Sequence, residues 1–183
     1  DRIATALRRG GARVVRVQPT GIAVARDAVS VDFLDPDAIR RLFDTLQGDG
    51  AAPSMLVVAP ELKSGPFRDA LANALDAPFF WQSEFARRRI ALGLPGSSLH
   101  VLSAHSGPAD AVAQTAQHAL ANMIKSLAVE WARDGLRTNG LVVGEDLDSA
   151  ANLALYVLSD YGAYITGTVS IAAGPHVGSG LYI

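Results

Sequence analysis

The chain contains no cysteine, so a disulfide framework and a thiolate metal site are both excluded. Lysine is nearly as scarce, with only Lys63 and Lys125, while arginine is plentiful. That imbalance points to a GC-rich genome rather than to a function. No apolar run reaches the ~18–20 residues needed to span a bilayer, and no secretory leader pattern is visible. A cytoplasmic protein with no membrane partner is therefore the expectation. Neither sign of charge dominates: the formal net charge is -2 and the pI is near 6.1. A nucleic-acid footprint or a basic membrane-binding face would need a marked positive excess. The run Arg87-Arg88-Arg89 reads as a solvated helix end. What remains is a chain with 49% apolar and 19% charged residues, the balance of a globular protein. Its 183 residues suit one well-cored domain spanning 1–183.

Hydrophobic periodicity alternates between strand and helix along the chain. Ile3, Ala4 and Leu7 form a helical stripe that Gly10-Gly11 ends. Strands are expected at Arg13 to Val17 and Val29 to Phe33. Asp35 is placed to cap a helix that starts at Pro36 and turns Ile39, Leu42 and Phe43 inward. Met55 to Ala59 is a continuous apolar run, as in a parallel strand buried on both faces. Pro66 to Leu92 is expected to be mostly helical, and Leu99 to Ser103 a strand. A long, largely apolar helix follows over Ala111 to Arg133 and stops at Gly135. The last elements are a strand at Arg137 to Val143, a helix at Ser149 to Leu158 and a strand at Thr168 to Ala172. This alternation predicts an α/β fold with a doubly wound parallel sheet, Rossmann-like, between two helical layers. Such sheets bind ligands beyond the carboxyl ends of their strands.

Several motifs in the right order resemble the short-chain dehydrogenase/reductase (SDR) family over nearly the whole chain. Ile3 to Val15 is similar to the helix and second strand after the family's glycine-rich turn. Val31-Asp32-Phe33-Leu34-Asp35 resembles the third strand and its acidic motif. Leu120 to Asn139 and Tyr164 to Gly174 resemble the helix, strand and turn that follow the active site. The resemblance implies an adenine-binding role for Asp32. It also implies a first strand with a Gly-x-x-x-Gly-x-Gly turn, and neither is in this sequence. Residues upstream of Asp1 are therefore expected, and an intact mass of 19.2 kDa would overturn that expectation.

The chemical positions depart from the family. The resemblance implies a catalytic tyrosine whose pKa, ordinarily near 10, is lowered by a lysine one helical turn away. Counting back from Lys125 puts the tyrosine at Ala113 and the lysine at Gln117. The serine falls on Ala104, beside Ser103, and the asparagine on Ala74, beside Asn73. Val58-Ala59-Pro60-Glu61 stands where the resemblance implies Asn-Asn-Ala-Gly. The substrate-covering insert expected after Val143-Gly144 is absent.

These departures lead to an expected function. The chain reads as a catalytically inactive SDR-fold subunit or domain. Its partner would be an active, ketoreductase-type SDR subunit, or a second copy, engaged through helix 111–133 and the 149–172 helix-strand unit. No cofactor is expected. The alternatives are an NAD(P)-dependent oxidoreductase acting on a 3-oxoacyl or similar carbonyl, and a nucleotide sensor without turnover. Asp32 would be a weak cofactor-binding remnant, or the cap of a turn. Ser103, His105, Asp110 and His118 supply the types for a triad or a metal site, but such sites are recognised by geometry, not by sequence spacing. The four tyrosines, Tyr156, Tyr161, Tyr164 and Tyr182, read as core or interface residues, and Gly174 to Ile183 as an extended tail that docks on a neighbour.

Overall fold

The computed structural model describes residues 2–21, 28–48, 52–60, 66–103 and 111–172, with only the backbone of Ser103 and Ala113. Its strands are β1 (Arg16–Pro19), β2 (Ala28–Val31), β3 (Met55–Val58), β4 (Gly96–Ser103), β5 (Leu136–Val143) and β6 (Val169–Ala172). Its α-helices are α1 (Arg2–Arg9), α2 (Pro36–Gly48), α3 (Phe67–Leu71), α4 (Ala77–Ala91), α5 (Ala111–Trp131) and α6 (Leu147–Leu158). A π-helical turn (Ala72–Asp76) joins α3 to α4.

All pairings are parallel, and they form two sheets rather than one. β1 pairs with β2, and β3-β4-β5-β6 form the other sheet. The expected doubly wound architecture is present, and among the described residues no strand joins β1 to β3. One helical layer holds α1 and α6, whose Leu7, Ala154 and Leu158 pack with Leu99 and Leu141. On the other face α2 and α4 surround Trp81 and Phe85, and α5 lays Leu120 and Ile124 on Leu102 and Val142.

Local chemistry accounts for most element boundaries. Asp35 Oδ1 accepts from the Asp37 N–H at 2.9 Å, so α2 starts at Pro36. Asp146 Oδ1 accepts from the Ser149 N–H at 2.9 Å and caps α6. Gly135 takes a left-handed φ of 74° where α5 and its final 3-10 turn give way to β5.

Some expectations need correction. β4 begins at Gly96, not Leu99, and its extra residues Ser97 and Ser98 are buried despite being polar. β1 lies at Arg16–Pro19, downstream of the apolar pattern that suggested it. Of the arginine run only Arg87 is solvated. Arg89 is buried and donates to the Pro95 carbonyl. Arg88, with a side chain only 10% exposed, bridges Asp44 of α2 at 2.6 Å and Glu84 of α4 at 2.7 Å. Helix α5 buries one face only: Ala116, Leu120, Ile124 and Ala128 are covered, while Val129 is 82% exposed. None of the described tyrosines is in the core, and Tyr164 is fully exposed. Residues 173–183, including Tyr182, lie outside the described residues.

Candidate functional site

The ends of β2, β3, β4 and β5 define the region where a doubly wound sheet binds ligands. Asp32 directly follows β2 and is exposed. Its Oδ1 accepts from the Leu34 N–H at 2.9 Å, and its carbonyl accepts from the Asp35 N–H at 3.3 Å. Asp32 thus closes its own turn through one carboxylate oxygen. Ala74 sits in the π-helical turn, fully buried. Neighbouring Asn73 is exposed, and its Nδ2 donates to the Asp69 carbonyl at 2.8 Å, one turn back in its own helix.

Ala113 and Gln117 occupy the first turns of α5 at i, i+4, the spacing that shares a helix face. Gln117 is half-buried and His118 exposed. Neither a methyl nor a neutral amide supplies the proton donor and cation of a tuned acid–base pair. Ala104, His105 and Asp110 lie outside the described residues. Among the described residues, no three His, Asp or Glu side chains cluster closely enough to hold a metal.

The structure exposes one polar group that sequence patterning does not single out. His100 lies on β4 with no exposed surface, and neither ring nitrogen has a partner. Burial pushes its pKa down to about 4, so the folded imidazole is neutral at physiological pH. Residues alternate along β4, so Ser98 shares its face. Ser98 Oγ donates to Thr138 Oγ1 at 3.2 Å, and Gln82 Nε2 donates to the same oxygen at 3.3 Å. Trp81 Nε1 and Gln82 Oε1 are likewise buried without partners. The polar seam between α4 and the sheet is thus only partly satisfied. The sequence signal was faint: a polar run, Ser97-Ser98, next to His100 in an otherwise apolar stretch.

The retained motifs around residues 137–139 and 164–168 act on each other. Asn139 Nδ2 donates to the Ile165 carbonyl at 2.8 Å, and its Oδ1 accepts from the Thr168 N–H at 3.2 Å and hydroxyl at 3.1 Å. The Thr138 N–H donates to Thr166 Oγ1 at 3.2 Å. Gly167, at a φ of 73°, returns its N–H to the Thr138 carbonyl at 2.8 Å. Arg137 reaches the end of α6, where its guanidinium donates to the carbonyls of Val157, Leu158, Ser159 and Gly162 at 2.5–3.3 Å. A cation on a helix's terminal carbonyls also complements its dipole.

The backbone arrangement is similar to that of several solved dehydrogenases. An acetoin dehydrogenase from Enterobacter cloacae matches at a TM-score of 0.82 and 18% identity, covering 94% of this chain and 89% of that one. A gluconate 5-dehydrogenase from Burkholderia cenocepacia J2315, in complex with NADP and tartrate, matches at 0.80 and 19%, covering 94% and 88%. An oxidoreductase of the short-chain dehydrogenase/reductase family from Brucella ovis, with a partially ordered NAD, matches at 0.74 and 20%, covering 93% and 92%. The chain has the SDR fold. No protein-family model and no curated protein matches its sequence.

The SDR fold raises the question of a dinucleotide, and the residues present fit one poorly. Asp32 stands at the correct strand end, with one carboxylate oxygen already engaged by its own turn. At the end of β3, Pro60 has no N–H to offer. The connection from β5 to α6 spans only Gly144 to Asp146, too short for a covering lid.

Proposed function

We propose that this chain is a catalytically silent SDR-fold subunit or domain, which associates with an active ketoreductase-type SDR partner or with itself and contributes surface rather than chemistry. The single observation behind this reading is the pair Ala113 and Gln117 on the first turns of α5, where the resemblance calls for a tyrosine and a lysine. Asn73 and Asp32 are engaged in local backbone bonds. The surface supports association: Val129 on α5 and Phe79 on α4 are 82% and 44% exposed. On this reading the chain binds no cofactor of its own and acts inside the cell.

The test is affinity purification of the chain from its native source, followed by a carbonyl reduction assay. Recovery with an SDR partner, or as a homo-oligomer, and no turnover alone is the expected outcome. A stable monomer that reduces a carbonyl with NADPH unaided would sink the proposal. The NADP and NAD in two of the similar structures favour one second reading, a working NAD(P)-dependent oxidoreductase on a 3-oxoacyl-type carbonyl. Cofactor titration separates the two, since micromolar binding with turnover belongs only to the second. Micromolar binding without turnover belongs to a nucleotide sensor.

A further inference from the structure

His100 occupies an interior position of a strand that is paired on both edges. Residues alternate along β4, so Ser98, His100 and Leu102 share one face. Leu102 packs there with Leu120 and Ile124 of α5. His100 is in register with Val58 on β3 and Gly140 on β5. A Cβ on Gly140 would lie 3.0 Å from Ile124 Cδ1, so α5 covers that side. Helix α4 covers the other: Trp81 packs with Val58, and Gln82 reaches Thr138, the register partner of Ser98. The ring is thus enclosed by two helices and two neighbouring strands, with no exposed surface.

Among the described residues no charged group faces the ring, and burial alone sets its low pKa. β3 is apolar throughout. On α4, Arg88 turns to Glu84 and to Asp44 of α2, Arg87 turns to Glu84, and Arg89 donates to the Pro95 carbonyl. On α5, His118, Lys125 and Glu130 are exposed, as is Asp76 in the π-helical turn. On β5, Arg137 is in register with Ser97, on the opposite face, and reaches the end of α6. Gln82 Oε1 is buried without a partner, and neither ring nitrogen bonds to it. A second N–H, added by protonation, therefore meets no acceptor in the closed seam and needs water.

The two helical layers differ in what opening costs them. The α1/α6 layer meets the sheet through an apolar cluster, with Leu7, Ala154 and Leu158 on Leu99 and Leu141. Arg137 fastens the end of α6 to β5. Helix α4 meets the sheet through a seam where Trp81 Nε1, Gln82 Oε1 and both His100 nitrogens are unpaired. Each of these groups gains a hydrogen bond when water enters, which lowers the cost of opening this seam. The ends of α4 are also suited to movement. It starts from the π-helical turn Ala72–Asp76 and is followed by Gly93, at a left-handed φ of 63°. Interruptions of this kind are where helices bend.

We propose that His100 is a pH-sensitive latch: a proton on its ring holds α4 off the sheet while the α1/α6 layer stays packed. Protons reach the ring only when the seam opens, and the charged ring then opposes closure. The open ring has the ordinary pKa of 6.5 and the closed ring one of about 4. The ratio of open to closed molecules is therefore about 30-fold larger at pH 5 than at pH 8, and about 300-fold larger well below pH 4. The latch is independent of the chain's catalytic silence, because it lies inside β4 and does not involve Ala113 or Gln117.

The chain contains no cysteine, so single thiols can report on each layer separately. Ser98→Cys places one in the seam and Ala154→Cys one beneath α6, both at positions with no exposed surface. Labelling by a thiol reagent is measured relative to the urea-unfolded chain at the same pH, which removes the reagent's own pH dependence. At pH 5 the seam thiol is expected to label about 10-fold faster than the α6 thiol. Its relative rate is expected to rise about 30-fold from pH 8 to pH 5. Equal labelling of the two thiols at pH 5 means that only the whole molecule opens, and overturns the latch. A seam rate that does not rise between pH 8 and pH 5 also overturns it. His100→Leu and His100→Gln, each made with Ser98→Cys, are expected to abolish the rise. A rise that survives in either variant, with folding verified by circular dichroism, assigns the pH dependence to another group and overturns the role of His100.

Discussion

At the scale of the residue, the most consequential side chains are buried polar ones. His100 is neutral in the folded chain, held at a pKa of about 4, against 6.5 when unfolded. Below pH 6.5 the unfolded state binds more protons, so stability falls as pH drops from about 6.5 towards 4 and levels off below that. The full amplitude is about 3 kcal/mol, since each tenfold change in proton affinity is worth about 1.4 kcal/mol. Denaturant melts at pH 7 and pH 4.5 should show that loss, and His100→Leu should flatten it. Asn139 is the clearest structural lock. Asn139→Ala removes three bonds and strands buried partners, for an expected loss of about 2–3 kcal/mol in a urea melt. Gly96 shows the opposite sensitivity: a Cβ there would lie 2.8 Å from Phe85 Cζ. Gly96→Ala should cost about 1–3 kcal/mol through overpacking. The importance of His100 was not legible in the sequence, because a histidine inside a strand does not show which face it takes or what it meets there.

At the scale of the element, helices were readable where a stripe and a cap coincide. For α2, Asp35, Pro36 and the inward set Ile39, Leu42 and Phe43 all lie where the sequence placed them. Strand ends were less readable. β4 extends back through Ser97 and Ser98, whose polarity hid them. The contact between α2 and α4 was invisible in sequence, since it depends on Arg88 meeting Asp44 across the fold. Burial opposes ionisation of Glu84, but its bonds to Arg87 and Arg88 outweigh that and keep its pKa below the ordinary carboxylate value. Arg88→Ala leaves the largely covered Glu84 with one partner fewer and removes a cation 6.0 Å from the Phe43 ring. A loss of about 1–2 kcal/mol is expected, with faster amide exchange in α2 than in α5. On α5, Ile124→Ala should cost about 2–4 kcal/mol, because Ile124 is fully buried between Leu102 and Val142.

At the scale of the whole molecule, the SDR fold persists with two sheets where an unbroken one is usual. Open strand edges invite pairing with other chains. The 183-residue chain should therefore self-associate as its concentration rises, as light scattering across a dilution series would show. The stretches that most resemble the family, at residues 137–139 and 164–168, keep their side chains for internal bonds that fasten the carboxyl-terminal turn and β6 to β5. Their persistence is explained by folding as well as by any role in assembly.

The sequence alone determined the order of elements, the parallel sheet and the SDR resemblance. Hydrophobic period, capping residues and residue chemistry are local properties, readable one segment at a time. Only the tertiary structure decided that Asp32 closes its own turn, that Arg137 caps a helix twenty residues on, and that His100 is buried without a partner. It alone placed a strand-lined cleft between β1 and β3, because that space exists only where distant segments of the chain come together.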